Sequence, residues 1–253
     1  VLLIPIQALL RCFTHGRVSF VLPRLWFACL RRALGIRVEV VGKPRKGGGT
    51  VFVGNHVSHY DILVLGSLLH ARFIAKNDME RWPGMQFIGN LGQALFISRR
   101  SRDAANVAAA LSTQIQPGQD LVLFAEGTTS SGERVAPFKS SLFSLFLNRE
   151  ATGHAWTMQP FTLVLRSVDG IALDAGGDRD AYAFHGNMDA GAHVKRFLRM
   201  SGAVVRVVFH EPLVVLPGAD RKVVAAELQG VVASASEGIV PLASHSSSRL
   251  HCR

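Results

Sequence analysis

Cysteine is scarce in this chain: Cys12, Cys29 and Cys252 are the three among 253 residues. Their spacing offers neither a metal set nor a disulfide framework, which is consistent with a reducing, cytoplasmic environment. Long apolar runs are also missing. The two N-terminal stretches, Val1 to Leu10 and Val18 to Leu30, fall short of the roughly 20 residues a spanning helix needs. No Gly-x-Ser-x-Gly elbow occurs and no cysteine lies near the polar motifs, so a covalent intermediate on the protein is not implied. Acidic residues are outnumbered, 18 against 28 Lys and Arg, giving a net charge of +10 and a pI near 10.4. That balance favours anionic partners. Nucleic acid is the less favoured of these, because no cluster of aromatics alternates with Lys and Arg.

Hydrophobic residues make up 48% of the chain, enough to bury one substantial core. No internal repeat is visible. Strand-like runs at Val38–Val41, Val51–Val53, Arg72–Lys76, Ala94–Ile97, Leu121–Phe124, Thr157–Leu165 and Ala203–Phe209 alternate with helix-like segments. The latter are Ile62–Leu69, Asp103–Gln114, Ser140–Asn148 and Arg221–Ser234. This alternation predicts an α/β fold with a central mixed sheet flanked by helices. Residues 1–34, apolar but interspersed with arginine, are expected to form a pair of short helices lying in a membrane interface, with an ordinary core helix pair as the alternative. Residues 35–240 form the main domain and 241–253 a loose tail. Because the chain opens on Val1, a further segment upstream is left open.

Three strand ends gather polar side chains, and strand ends are where α/β proteins collect substrate. The first carries Asn55, His56, Ser58, His59 and Asp61. Five residues apart on one helix, His56 and Asp61 would diverge by about 140°. A turn leading into a helix start brings them together, so that Asp61 orients one imidazole nitrogen and leaves the other free to take a proton. The plainer alternative is that both residues only satisfy backbone groups at a helix start. Ser58 reads as a turn or capping hydroxyl and His59 as a packed or capping residue. The second strand end emerges on Arg99 and Arg100, whose donors suit phosphate or carboxylate. The third, after Leu121 to Phe124, leads into Ala125-Glu126-Gly127-Thr128-Thr129-Ser130.

Taken together these blocks resemble the glycerolipid acyltransferases of the lysophosphatidic acid acyltransferase type. His56 to Asp61 matches the family's His-x4-Asp, Gly92 to Arg99 its second block, and Phe124 to Ser130 its Phe-Pro-Glu-Gly-Thr-Arg-Ser. Met158-Gln159-Pro160 stands where the fourth block ends in proline, although a proline at this point equally reads as an edge-strand residue. The match runs from about Val38 to Leu213. It implies transfer of an acyl group from an acyl carrier protein or coenzyme A thioester, as cosubstrate and without a cofactor or metal, to the hydroxyl of a lysolipid. His56 is then the base, Asp61 its orienting partner, Arg99 a contact for an anionic acceptor group, and Glu126, Gly127, Thr128 and Thr129 the acceptor loop. The implied setting is an anionic membrane surface, on the cytoplasmic face of a bacterial inner membrane.

Thr129 replaces the family's arginine and cannot supply its charge. The Phe-Ala-Glu-Gly-Thr-Thr form followed by Pro137-Phe138-Lys139 is similar to bacterial relatives that acylate lyso-ornithine lipid, which contains no phosphorus. Two other classes stay open on sequence alone. A metal-dependent hydrolase would use His56, His59 and Asp61 as ligands, and a basic nucleic-acid-binding protein would account for the charge.

Overall fold

The computed structural model describes residues 19–76, 94–97, 115, 118–147 and 156–236. Strands β1 (Ile36–Val41), β2 (Thr50–Gly54), β3 (Ala71–Lys76), β4 (Leu95–Ile97), β5 (Asp120–Phe124), β6 (Trp156–Val168), β7 (Ile171–Ala172), β8 (Ala203–Phe209) and β9 (Leu213–Val215) join one sheet. Its order is β1-β8-β6-β2-β5-β3-β4, with β7 and β9 pairing β6 off that path. Pairing is parallel throughout except where β6 meets β7, β8 and β9. The mixed sheet expected from the sequence is therefore present.

Side-chain alternation along the strands divides the core between two faces. Val51 and Val53 of β2 and Leu121 and Leu123 of β5 point one way, where α3 (Ser140–Leu147) and α6 (Arg221–Ser236) cover them. Val224, Leu228 and Val232 recur every fourth residue on α6 and form its buried stripe. Phe52, Val122, Phe161 and Leu163 point the other way, beneath α1 (Val21–Ala33), α2 (Asp61–Leu68), α4 (Arg179–Tyr182) and α5 (Ala190–Phe197). Helix α2 is buried almost all round, lying between the sheet and α1. Its last turn has no basic residue of its own, and Arg24 of α1 supplies one, donating to Ser67 O at 3.3 Å.

Only the second of the two expected N-terminal helices falls among the described residues, as α1. The first, with the segment before residue 19, lies outside them, as do the helix expected over Asp103–Gln114, the paired Arg99 and Arg100, and the tail 241–253. Among the described residues no helix is long and apolar enough to cross a bilayer.

The edge-strand alternative for Pro160 is overturned: it sits in an interior strand, opposite Val53 of β2. On its other flank β6 changes partner, from β9 as far as Met158 to β8 from Phe161 onward. Pro160 falls in that gap, where its carbonyl accepts from His210 N at 3.0 Å. Because the N and C=O of one strand residue point the same way, the missing N–H faces the gap and no ladder bond to β2 is lost.

Gly54 ends β2 against β6. A methyl group there would lie 2.4 Å from Phe161 O and 2.5 Å from its ring. Gly54→Ala should therefore lower stability by about 1 to 3 kcal/mol, the range for an overpacked core, read as a drop in the urea midpoint at unchanged slope.

Candidate active site

As β2 leaves the sheet, Asn55 continues its pairing with a side chain. Leu163 N donates to Asn55 Oδ1 at 2.8 Å, and Asn55 Nδ2 donates to Leu163 O at 2.9 Å. With the chain pinned there, residues 56–60 turn back and Asp61 becomes the first residue of α2. The turn-then-helix geometry expected for the pair is met: His56 Nδ1 lies 2.9 Å from Asp61 Oδ2. The same oxygen accepts from Val57 N at 2.7 Å and Ser58 N at 2.9 Å, while Asp61 Oδ1 accepts from Tyr182 OH at 3.0 Å. Satisfying backbone groups before the helix start and orienting the imidazole, posed as alternatives by the sequence, are thus both done by one buried carboxylate, which makes no cap bond to the helix itself.

A carboxylate only accepts, so His56 Nδ1 carries the proton and Nε2 presents a lone pair. Nε2 makes no hydrogen bond among the described residues. The ring is stacked on Phe124 with centroids 3.8 Å apart and planes 10° apart, and the residue is 8% exposed. The imidazole is thus confined on one side by β5 and keeps a small exposed edge.

Glu126 joins the first and third motifs. Its Oε2 accepts from His56 N at 3.1 Å and its Oε1 from Ala136 N at 2.7 Å. Ser130 N donates to His56 O at 2.8 Å. The Ser130 hydroxyl lies 3.2 Å from both His56 O and Glu126 Oε2, donating to one at a time. Burial raises the Glu126 carboxyl above its usual range, and the Ala136, His56 and Ser130 donors oppose that shift. Gly127 has φ of +68°, and a side chain there would meet Lys139 at 2.8 Å. Thr128 is exposed and Thr129 half-buried on the same loop. Arg99 lies outside the described residues, so of the second motif only β4, paired to β3, is placed here.

Tyr182 was not singled out by sequence. It lies far downstream in a segment without motif spacing, and only the packing of α4 against the dyad gives it a role. Burial, followed by the charge of Asp61, raises its phenol well above the ordinary value, so it stays a donor. Phe124 was visible only as the end of a strand. Ser58 acts within the turn, its hydroxyl 3.4 Å from Tyr60 N. His59 packs among Tyr60, Phe184 and His193, with neither ring nitrogen bonded. Among the described residues no three His, Cys, Asp or Glu side chains converge as a metal site.

The arrangement is an imidazole oriented by a buried carboxylate beside a Glu-Gly-Thr loop, at the ends of the parallel strands β2 and β5. The profile of the Acyltransferase family matches residues 36–164. The lyso-ornithine lipid O-acyltransferase of Brucella abortus is 33% identical over 233 residues, covering 91% of this chain and 86% of that protein. The chain belongs to the acyltransferase family and is an O-acyltransferase. The 1-acyl-sn-glycerol-3-phosphate acyltransferase of Neisseria meningitidis is 29% identical over 180 residues, 70% of this chain and 66% of that one. In fold, the crystal structure of the 1-acyl-sn-glycerophosphate acyltransferase of Thermotoga maritima superposes with a TM-score of 0.60 at 19% identity, covering 94% of this chain and 88% of that one.

Burial, then the neighbouring His193, holds the His59 imidazole down to about 4. Its ordinary value is about 6.5, so the unfolded chain binds this proton first as pH falls. The His59 contribution to stability should therefore decline from about pH 6.5 to pH 4 and level off below, a loss of about 3 kcal/mol at most. Glu126, raised by burial, changes stability in the opposite sense on acidification. Urea midpoints of wild type and His59→Phe between pH 7.5 and 4 isolate the histidine: the variant should show the shallower loss.

Proposed function

We propose that this protein acylates the free hydroxyl of a lysolipid, taking the acyl group from an acyl carrier protein or coenzyme A thioester, with His56 as general base. The observation that carries this reading is the 2.9 Å contact between His56 Nδ1 and Asp61 Oδ2, which leaves Nε2 aimed away from its partner. A thioester carbonyl is already electrophilic, so the protein needs chiefly to position an alcohol and accept its proton. Nε2 takes the hydroxyl proton as the oxygen bonds to the carbonyl carbon. The tetrahedral intermediate then expels the thiolate, which recovers a proton from the imidazolium. Asp61 fixes the tautomer and stabilises the cation formed in between.

Glu126 is engaged by three donors and serves to hold the acceptor loop against His56 rather than to titrate during turnover. Gly127 and Thr128 line that loop, and Arg99 is proposed to contact the phosphate when 1-acyl-glycerol-3-phosphate is the acceptor. Thr129 in place of arginine favours the phosphorus-free acceptor named for the Brucella relative over 1-acyl-glycerol-3-phosphate.

His56→Ala should lower turnover by about 100-fold or more in protein that still unfolds cooperatively in urea, the usual loss for a general base. Asp61→Asn should be comparably severe. Tyr182→Phe, which removes one of four donors to Asp61, should cost far less. Assays with acyl carrier protein and coenzyme A thioesters against lyso-ornithine lipid and 1-acyl-glycerol-3-phosphate measure all three variants, and near-normal turnover by folded His56→Ala would sink the mechanism.

The acceptor's chains demand access to a bilayer, and the basic protein is proposed to sit on an anionic membrane surface, on the cytoplasmic side of a bacterial inner membrane. Helix α1 supports this: Val21 and Leu25 are 54% and 56% exposed, one turn apart, and Arg32 is exposed on the same helix. Vesicle flotation should show stronger binding to anionic than to neutral lipid, weakening with salt. Leu25→Glu should reduce it. Equal binding by the variant would assign the contact elsewhere.

A further inference from the structure

The third-motif loop lacks an arginine of its own at Thr129, yet the fold delivers a guanidinium to that loop from 48 residues downstream. Arg179 opens α4, with Nη1 3.5 Å from Ser131 O and Nε 4.0 Å from Glu133 Oε1. Tyr182, on the same short helix, donates to Asp61 Oδ1 at 3.0 Å. The loop is anchored in turn to the base, because Ser130 N donates to His56 O and Gly132 packs on the Val57 side chain. Helix α4 thus reaches the dyad through Tyr182 and the acceptor loop through Arg179.

The guanidinium is held but not saturated. Its contact to Ser131 lies at the limit of hydrogen bonding, and 4.0 Å to Glu133 is too long for one. Nη2 has no partner among the described residues, whereas the neighbouring Arg196 is committed to Asp178. The Arg179 side chain is 27% exposed and that of Glu133 71%, so both can be reached from outside. A half-buried guanidinium with unused donors is preorganised for a carboxylate or phosphate. The carboxylate beside it selects between them.

We infer that Arg179 and Glu133 form the headgroup subsite of the acceptor, built for a zwitterionic amino-acid headgroup in which a carboxylate meets Arg179 and an ammonium meets Glu133. This inference rests on the lysolipid reading above and adds to it the chemistry of recognition. An ornithine with one amine tied up in an amide retains one carboxylate and one ammonium, matching the pair in sign. A phosphate monoester would gain Arg179 but face the Glu133 carboxylate, which disfavours it. Lys139, over Gly127, and the exposed Arg134 are the other cations on this loop.

The test is steady-state acylation of lyso-ornithine lipid and of 1-acyl-glycerol-3-phosphate, in detergent, by wild type, Arg179→Gln, Arg179→Lys, Glu133→Gln and Lys139→Gln. Urea midpoints are taken for each. Arg179→Gln should raise KM for lyso-ornithine lipid by about tenfold or more, as for a lost charge-assisted contact. Its kcat and its KM for the thioester should change little, and Arg179→Lys should restore part of the affinity. Glu133→Gln should weaken lyso-ornithine lipid and improve 1-acyl-glycerol-3-phosphate. An Arg179→Gln KM within twofold of wild type overturns the subsite, and so does a loss confined to Lys139→Gln. A fall in kcat on both acceptors together with the urea midpoint assigns Arg179 a structural role instead, and also overturns it. Wild type that acylates neither lysolipid overturns the acceptor reading and this subsite with it, an outcome distinct from failure of the variants alone.

Discussion

A buried carboxylate at the start of α2 organises the whole site. Asp61 is fully buried and accepts from the His56 ring, two backbone amides of the preceding turn and the Tyr182 hydroxyl. Placing a charged group where water is excluded is costly unless its oxygens are satisfied. Here the donors that satisfy it are also the atoms whose positions matter. The Val57 and Ser58 amides fold the turn, the imidazole is locked in one tautomer, and the phenol brings α4 against the dyad. Loss of this acceptor would leave four buried donors searching for partners, so stability and orientation are coupled here.

Around that centre the sheet acts as a rigid frame. β2 and β5 are adjacent and parallel, so their C-terminal ends open side by side and release His56 and Glu126 into neighbouring loops. The two loops are then joined directly, Glu126 to His56 N and Ser130 to His56 O. Asn55 secures the other flank by extending the ladder to β6 with its side-chain amide. An imidazole supported by backbone bonds on both sides would lose little entropy on meeting substrate if it is the base proposed above, and positioning of this kind is a usual source of rate. Phe124 adds an apolar wall against one face of the imidazole.

Selectivity is a separate matter from the proton transfer proposed for His56. The family pattern places one positive charge within the third motif, and this chain puts threonine there while Arg179 approaches from α4. A cation carried on an independent element can be paired with its own counter-charge, as Glu133 is here, without disturbing the loop that supports His56. That separation lets the headgroup contact vary while the Asp61 network stays fixed.

The sequence by itself determined the layers of the fold and the chemical type of the site. Continuous apolar runs at Val51–Val53 and Leu121–Phe124 become central strands, and the helix-like segment Arg221–Ser234 becomes α6, whose Val224, Leu228 and Val232 form a buried stripe. His56 and Asp61 meet as their spacing allows, because five residues suffice for a turn and a helix start. Such features are local, and local geometry is written in neighbouring residues. The interior position of Pro160, the docking of Tyr182 on Asp61 from 121 residues away and the arrival of Arg179 at Ser131 from 48 away were decided only by tertiary structure. Each depends on which strands pair and which helix packs over them. The donor Tyr182 and the cation Arg179 have no spacing relative to the motifs they serve, so no pattern along the chain marks them before the sheet assembles.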